Sequence, residues 1–210
     1  MLTVRAFTFN PFAENTYVLH TENGEAVIVD PGCSDASEER TLSEFIEKRK
    51  LRVRDILLTH CHIDHVLGLM YTAERYECTP LIPKAEVSVL EAAARSAEMY
   101  GLPYKGTPEV AFFTESTYRL GDEVLEILSV PGHSPGHVAF CHRASKALIG
   151  GDVLFKRSIG RTDLPGGDHQ TLLDSIRREI FSLDDDVKVY PGHMEPTTVG
   201  EEKQYNPFLN

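Results

Sequence analysis

The stretch His60-Cys61-His62-Ile63-Asp64-His65 follows directly on an apolar, β-like run (LRVRDILLTH, 51–60) and packs three histidines and one aspartate into six residues. Holding four titratable groups at a single strand edge is costly unless they stay solvated or coordinate an ion. Imidazole and carboxylate together suit zinc, iron or manganese. Cys61 lies between two of the histidines, but alternation along an extended segment turns its side chain away from theirs, so it reads as packing. Beyond the cluster, Val66, Leu69, Met70 and Ala73 recur at helical spacing. The cluster is therefore expected at the C-terminal end of a strand, where connecting loops carry functional groups.

Towards the N-terminus, three short β-like runs (VRAFTF, 4–9; TYVLHT, 16–21; EAVIVD, 25–30) alternate with turn signals at Asn10-Pro11, Asn23-Gly24 and Pro31-Gly32. Ser34 and Asp35 then offer helix caps, and Leu42, Phe45, Ile46 and Arg49 follow at helical spacing. Towards the C-terminus, Val87, Leu90, Ala94 and Ala97 predict a helix ended by Tyr100-Gly101 and Pro103. A second β-rich block follows (TYRLG, 117–121; VLEILSV, 124–130; HVAFCH, 137–142; KALIGGDVLF, 146–155), then a helix carrying Leu172, Leu173, Ile176 and Ile180 on one side, and a last strand in DVKVYPGH, 186–193. No repeat or linker interrupts residues 1–210, so the reading is one domain of α+β class: an αββα four-layer sandwich, two mixed sheets face to face with helices on both outer faces.

Three further groups stand at predicted strand ends: His133 in SVPGHSPGH, Asp152 in LIGGDVLF and His193 in VYPGH. A lone histidine is more often structural, yet with the cluster these make seven candidate ligands, more than one tetrahedral zinc uses. Two ions are the natural inference; held about 3.5–4 Å apart with a shared carboxylate and a bridging hydroxide, such a pair makes a nucleophile at neutral pH. Asp152 is the candidate for sharing. Asp30, ending the run VIVD, is either a partner that orients a ligand histidine or a turn aspartate before Pro31-Gly32, and His137 favours a supporting role over ligation. Lys156, Arg157 and Arg161 form a local basic group after Asp152; Arg161, with Lys156, is a candidate for binding substrate carboxylates.

Composition narrows the function classes. With 41% hydrophobic and 25% charged residues the chain reads as globular, and no apolar run approaches the ~20 residues that span a bilayer. A net charge of −11 argues against nucleic acid as partner, because phosphate binding needs clustered lysine and arginine. The opening MLTVRAFTFNPF has no long apolar core, and Cys33, Cys61, Cys78 and Cys141 form no CxxC pair, which together lead us to expect a cytoplasmic protein with reduced thiols, as a monomer or small homo-oligomer.

The order HxHxDH (60–65), PGHxxGH (131–137), GGD (150–152) and a final PGH (191–193) resembles the metallo-β-lactamase superfamily, and GDVLFKRSIGRTDLPGGDHQTLLDSI with the tail PTTVGEEKQYNPFLN resembles its short, glyoxalase II-like (hydroxyacylglutathione hydrolase-like) subgroup. The resemblance implies that His60, His62 and His133 hold one ion and Asp64, His65 and His193 a second, with Asp152 between both; Asp64 and Asp152 are then the catalytic carboxylates. It implies two divalent ions, zinc first with iron or manganese as alternatives, and hydrolysis of a small-molecule acyl thioester like S-lactoylglutathione. Two competing readings are a mononuclear iron persulfide dioxygenase of the same fold and a non-catalytic or redox metal-binding module; the former lacks use for Asp64, His65 and His193, and the latter typically carries a glutamate where His62 stands. A nuclease is weaker still on this acidic surface.

Overall fold

The computed structural model describes residues 1–209. Although no linker marks a boundary in the sequence, the chain divides into two compact units, residues 1–114 with 119–123 and residues 115–118 with 124–210. Each unit has its own mixed sheet and its own apolar core.

The first sheet runs β1 (Thr3–Phe9), β2 (Glu14–His20), β3 (Glu25–Val29), β4 (Arg52–Leu57), β5 (Leu81–Ile82) and β6 (Ala111–Phe112), in that order. β1 to β3 pair antiparallel through the turns expected at Asn10-Pro11 and Asn23-Gly24; Asn10 and Gly24 both take positive φ, 52° and 78°. From β3 to β6 the strands are parallel. A parallel step needs a crossover, and α1 (Ala36–Lys48) supplies the first. Of the two candidate caps Asp35 is the one used: its Oδ1 accepts from the Ser37 and Glu38 amides at 2.7 and 2.9 Å. Leu42 and Ile46 on the inner face are buried against Phe7, Val18, Ile28 and Ile56. Each such side chain contributes roughly 1.5–3 kcal/mol by leaving water.

Two helices that read as continuous in the sequence are broken. The helix after the cluster is α2 (Ile63–Val66) and α3 (Leu69–Tyr76), because Gly68 passes too close to Cys33 and Pro31 to carry a side chain and donates its amide to the Pro31 carbonyl at 2.8 Å. The next splits into α4 (Val87–Glu91) and α5 (Ala93–Tyr100), which rotates the phase: Ala93 and Ala97 are buried and Ala94 is exposed. Gly101, at φ 67°, closes α5 as expected.

In the second sheet β7 (Thr117–Leu120), β8 (Glu123–Ser129), β9 (Val138–His142) and β10 (Ala147–Gly151) are joined in order, with β13 (Lys188–Pro191) parallel to β10 and β14 (Thr197–Thr198) at the far edge. A small hairpin, β11 (Leu154–Phe155) with β12 (Ser158–Ile159), follows β10. Between β10 and β13 lies α6 (His169–Ser175), capped by Asp168 and prolonged by a π turn over Ile176–Ile180; Leu172, Ile176 and Ile180 are buried and Leu173 partly so. The last helix, α7 (Val199–Tyr205), was not visible as a periodic pattern. No helix among the described residues is long and apolar enough to cross a membrane.

Because α1 carries the first crossover, its cap is a stability determinant. Asp35→Ala is expected to lower unfolding free energy by about 1 kcal/mol, read as a shift of the urea midpoint at constant slope. An unshifted midpoint would show the cap to be dispensable.

Candidate metal centre

The ligand turn sits where two parallel strands end side by side. β3 and β4 are in register up to Val29 and Leu57, so Asp30, Thr59 and His60 leave the sheet at one level. Asp30 is 1% exposed and holds a left-handed backbone at φ 51°, a conformation that aspartate and asparagine tolerate better than most residues. Its Oδ1 accepts the Thr59 amide at 2.7 Å; its Oδ2 accepts the Thr59 hydroxyl at 2.6 Å and His65 Nδ1 at 3.2 Å. With its one proton committed to Asp30, the Thr59 hydroxyl accepts from His60 Nδ1, 3.0 Å away. One buried carboxylate thus orients His65 directly and His60 through Thr59. Asp30 makes the contact to His65 on which the orienting reading rests.

Around this lie residues the sequence did not flag. Asn10 Nδ2 bonds the carbonyls of Gly32 and Asp64 at 3.0 and 2.9 Å, tying the β1–β2 turn to the cluster. Glu86, fully buried, accepts the Cys61 amide at 2.9 Å. Glu14, also fully buried, places Oε1 3.9 Å from His65 Nδ1. Burial pushes its carboxyl well above the usual range, the His65 ring opposing and the Asp30 charge adding. Single asparagine and glutamate residues carry no periodic signal, so only proximity to the cluster singles these out. Cys61 is buried in the first core, and burial, with the Glu86 charge, drives its thiol well above its usual pKa.

The second unit builds its own set by the same device. β10 and β13 are parallel, so Asp152 and His193 emerge together; a register shift between Ile149 and Gly151, with Gly151 at φ 51°, turns the chain just before Asp152. Asp152 Oδ2 then lies 3.4 Å from His193 Nε2 and 3.6 Å from His133 Nε2. His133 Nδ1 donates to the Arg161 carbonyl at 2.7 Å. The buried His137 accepts the Asp152 amide on Nε2 at 3.0 Å, a supporting role as expected. Gly160 permits this packing: a side chain there would run into the Asp152 carbonyl and the His133 ring. The Arg161 side chain itself forks Asp163, at 2.7 Å for both bonds, and holds that carboxyl at about 2. Lys156 pairs with Glu195 at 2.7 Å.

The donor geometry fits metal ions. His65, His60 and His133 are each engaged at Nδ1, so that Nε2 would be the atom offered to an ion. The Nε2–carboxylate separations of 3.7 Å (His65–Asp64), 3.6 Å (His133–Asp152) and 3.4 Å (His193–Asp152) are longer than good hydrogen bonds. They approach the edge of a tetrahedron whose ligands stand ~2.0–2.1 Å from the metal, which is ~3.3 Å. Within the first unit, ligand atoms of Asp30, His60 and His65 also lie within 4.8 Å of one another; the first of these is occupied by Thr59 and His65, which leaves it supporting.

Two outcomes follow. Asp30→Asn preserves the left-handed backbone but replaces one acceptor oxygen with a donor, and is expected to weaken metal affinity about 10–100-fold in chelator competition; unchanged affinity would remove Asp30 from the site. Native protein treated with iodoacetamide should retain unmodified Cys61, read by peptide mass mapping, because its thiol is buried and protonated.

Comparison with known proteins identifies the family. The family model of the metallo-beta-lactamase superfamily matches residues 9–193. Hydroxyacylglutathione hydrolase GloC of Haemophilus influenzae is 35% identical over 217 residues, covering 100% of this chain and 99% of that protein. Among solved structures, the BLEG-1 B3 metallo-beta-lactamase superposes with a TM-score of 0.89 at 34% identity over 100% of both chains. TTHA1623, solved in a di-iron-bound form, gives 0.88 at 36% identity over 98% of this chain and 100% of that one. Two mixed sheets, a family model matched over residues 9–193 and a relative aligned over the whole chain lead to one conclusion: the chain belongs to the metallo-β-lactamase superfamily, as a metal-binding hydrolase.

Proposed function

We propose that this protein hydrolyses an acyl thioester of the hydroxyacylglutathione type at a centre of two divalent ions. The observation that carries the dinuclear reading is Asp152: a single carboxylate oxygen is near two imidazole Nε2 atoms, His133 at 3.6 Å and His193 at 3.4 Å, as a shared ligand would be. The proposed assignment gives His60, His62 and His133 to one ion, Asp64, His65 and His193 to the other, and Asp152 to both. The relative solved with two irons supports the count, and zinc is the expected resident because N/O ligand sets of this kind bind it tightly. The full-length likeness to a hydroxyacylglutathione hydrolase supports the substrate class.

When bound, the ions supply a nucleophile from water at neutral pH and polarise the carbonyl under attack. The chain's residues do the rest. Asp30 and Thr59 hold His65 and His60 in one tautomer. The Arg161 carbonyl does the same for His133, and His137 fixes the backbone of Asp152. Asp64 and Asp152 keep the centre electrically balanced as ligands. A leaving thiol of pKa about 8.5 departs without a strong proton donor, which suits a site composed of ligands and their supports. Arg161 and Lys156 are proposed to bind a substrate carboxylate; both now pair with exposed acids, Asp163 and Glu195, and exposed pairs of this kind are worth little and exchange readily. The four unbridged cysteines support a reducing, cytoplasmic setting.

The test is metal quantification of the purified protein together with an S-lactoylglutathione hydrolysis assay. Two ions per chain and turnover are expected. Asp152→Ala should lose both ions and all activity, and full activity in that variant would sink the shared-ligand assignment. Arg161→Ala should raise KM several-fold with metal content intact, since the carbonyl that holds His133 belongs to the backbone. One iron per chain with oxygen consumed on a persulfide substrate would replace hydrolysis by the dioxygenase reading.

A further inference from the structure

At the other end of the first sheet from the ligand turn the surface changes sign. β2 begins at Glu14, beside His65, and ends at His20. Six steps of strand rise separate the two ends by ~20 Å. There Thr3 of β1 pairs with His20, and the last turn of α1 brings Phe45, Lys48 and Arg49 over them. With Arg5 these residues line a recess of about 330 Å³. That volume lies within the range of ~300–1,000 Å³ of small-molecule sites.

Its chemistry is unusual for this chain. The net charge is −11, and some cations elsewhere, such as Arg52, Arg75, Arg143 and Lys203, are paired with carboxylates, whereas here three cations line one recess. Among the described residues none of Arg5, Lys48 and Arg49 has a carboxylate within ion-pair distance. Two of them lie over aromatic rings: the Arg5 guanidinium carbon is 5.2 Å from the Phe7 centroid and 5.8 Å from that of Phe45, and that of Arg49 is 5.4 Å from Phe45. A cation–π contact of this kind holds a guanidinium at the ring without using up its N–H donors. His20 completes the set. It is 8% exposed, its ring bonds the Thr21 backbone, and its Nε2 is buried with no hydrogen-bond partner. A buried polar atom of this sort wants a partner.

We propose that this recess binds a phosphate group carried by a small molecule, with Arg5 and Arg49 as oriented forks, Lys48 as a third charge and His20 Nε2 sharing a proton with a phosphate oxygen. Three cations favour a phosphate, carrying about −1.5 to −2 charge, over a single carboxylate. Planar forks are the groups that bind phosphate oxygens bidentately. The site is separate from the ligand turn and does not depend on the reading of the reaction.

The experiment is a titration of the purified, metal-loaded, ¹⁵N-labelled protein with sodium phosphate at fixed ionic strength, followed by amide correlation spectra. Saturable shifts are expected at Val4, Arg5, His20, Thr21, Phe45 and Arg49 and at the His20 ring. The Arg5→Ala/Arg49→Ala double variant should weaken them at least tenfold with thioester turnover and thermal unfolding unchanged, and Arg49→Lys, which keeps the charge but loses the fork, should also weaken them. Sodium acetate at the same ionic strength should leave these signals in place. The proposal fails if phosphate gives no saturable shift at these residues, if either variant binds as tightly as the parent, or if acetate reproduces the phosphate response.

Discussion

The ligand turn depends on one buried negative charge. Asp30 is almost fully enclosed, sits in a left-handed backbone, and accepts three hydrogen bonds, from the Thr59 amide, the Thr59 hydroxyl and His65. An isolated buried carboxylate is strongly disfavoured, so those three donors have little freedom to move elsewhere. The same bonds that satisfy Asp30 choose the tautomer of His65 and, through the hydroxyl, of His60. Orientation of the imidazoles is therefore a by-product of satisfying a charge, which is why a residue that never touches the proposed ion governs the geometry around it.

The second unit reaches the same end through backbone packing instead of a buried acid. A register shift in β10, a positive-φ Gly151 and the close approach of Gly160 fix where Asp152 leaves the sheet. Backbone groups then do the orienting: the Arg161 carbonyl on His133 and the Asp152 amide on His137. A substitution at Arg161 leaves that carbonyl in place, whereas a side chain at Gly160 would press on both Asp152 and His133. The GRTD segment thus contributes to the site through its main chain as well as through its exposed guanidinium.

The seven candidate ligands were legible because histidine and aspartate at strand ends are rare enough, and dense enough here, to stand out against packing. Helix α1 and the long strands were legible from period and cap. The broken helices were not: only the approach of Gly68 to Cys33 and Pro31 interrupts the first, and only the turn at Ala92 rotates Ala93 inward in place of Ala94. Thr59, Glu14, Glu86 and Asn10 were missed for a related reason. Each acts through a contact between segments 25 to 54 residues apart or through a hydroxyl whose role depends on its neighbour's proton, and neither leaves a local pattern.

What the sequence determined by itself was the chemical inventory, the α+β alternation and the family, since these rest on residue type and order along the chain. What the tertiary structure alone decided was the division into two units, the choice of Asp30 as an orienting group, the pairing of Arg161 with Asp163 and the gathering of unpaired cations around His20. Those depend on parallel strands ending at one level and on buried polar groups finding donors across the fold. Distance and desolvation set them, and a linear sequence encodes neither locally.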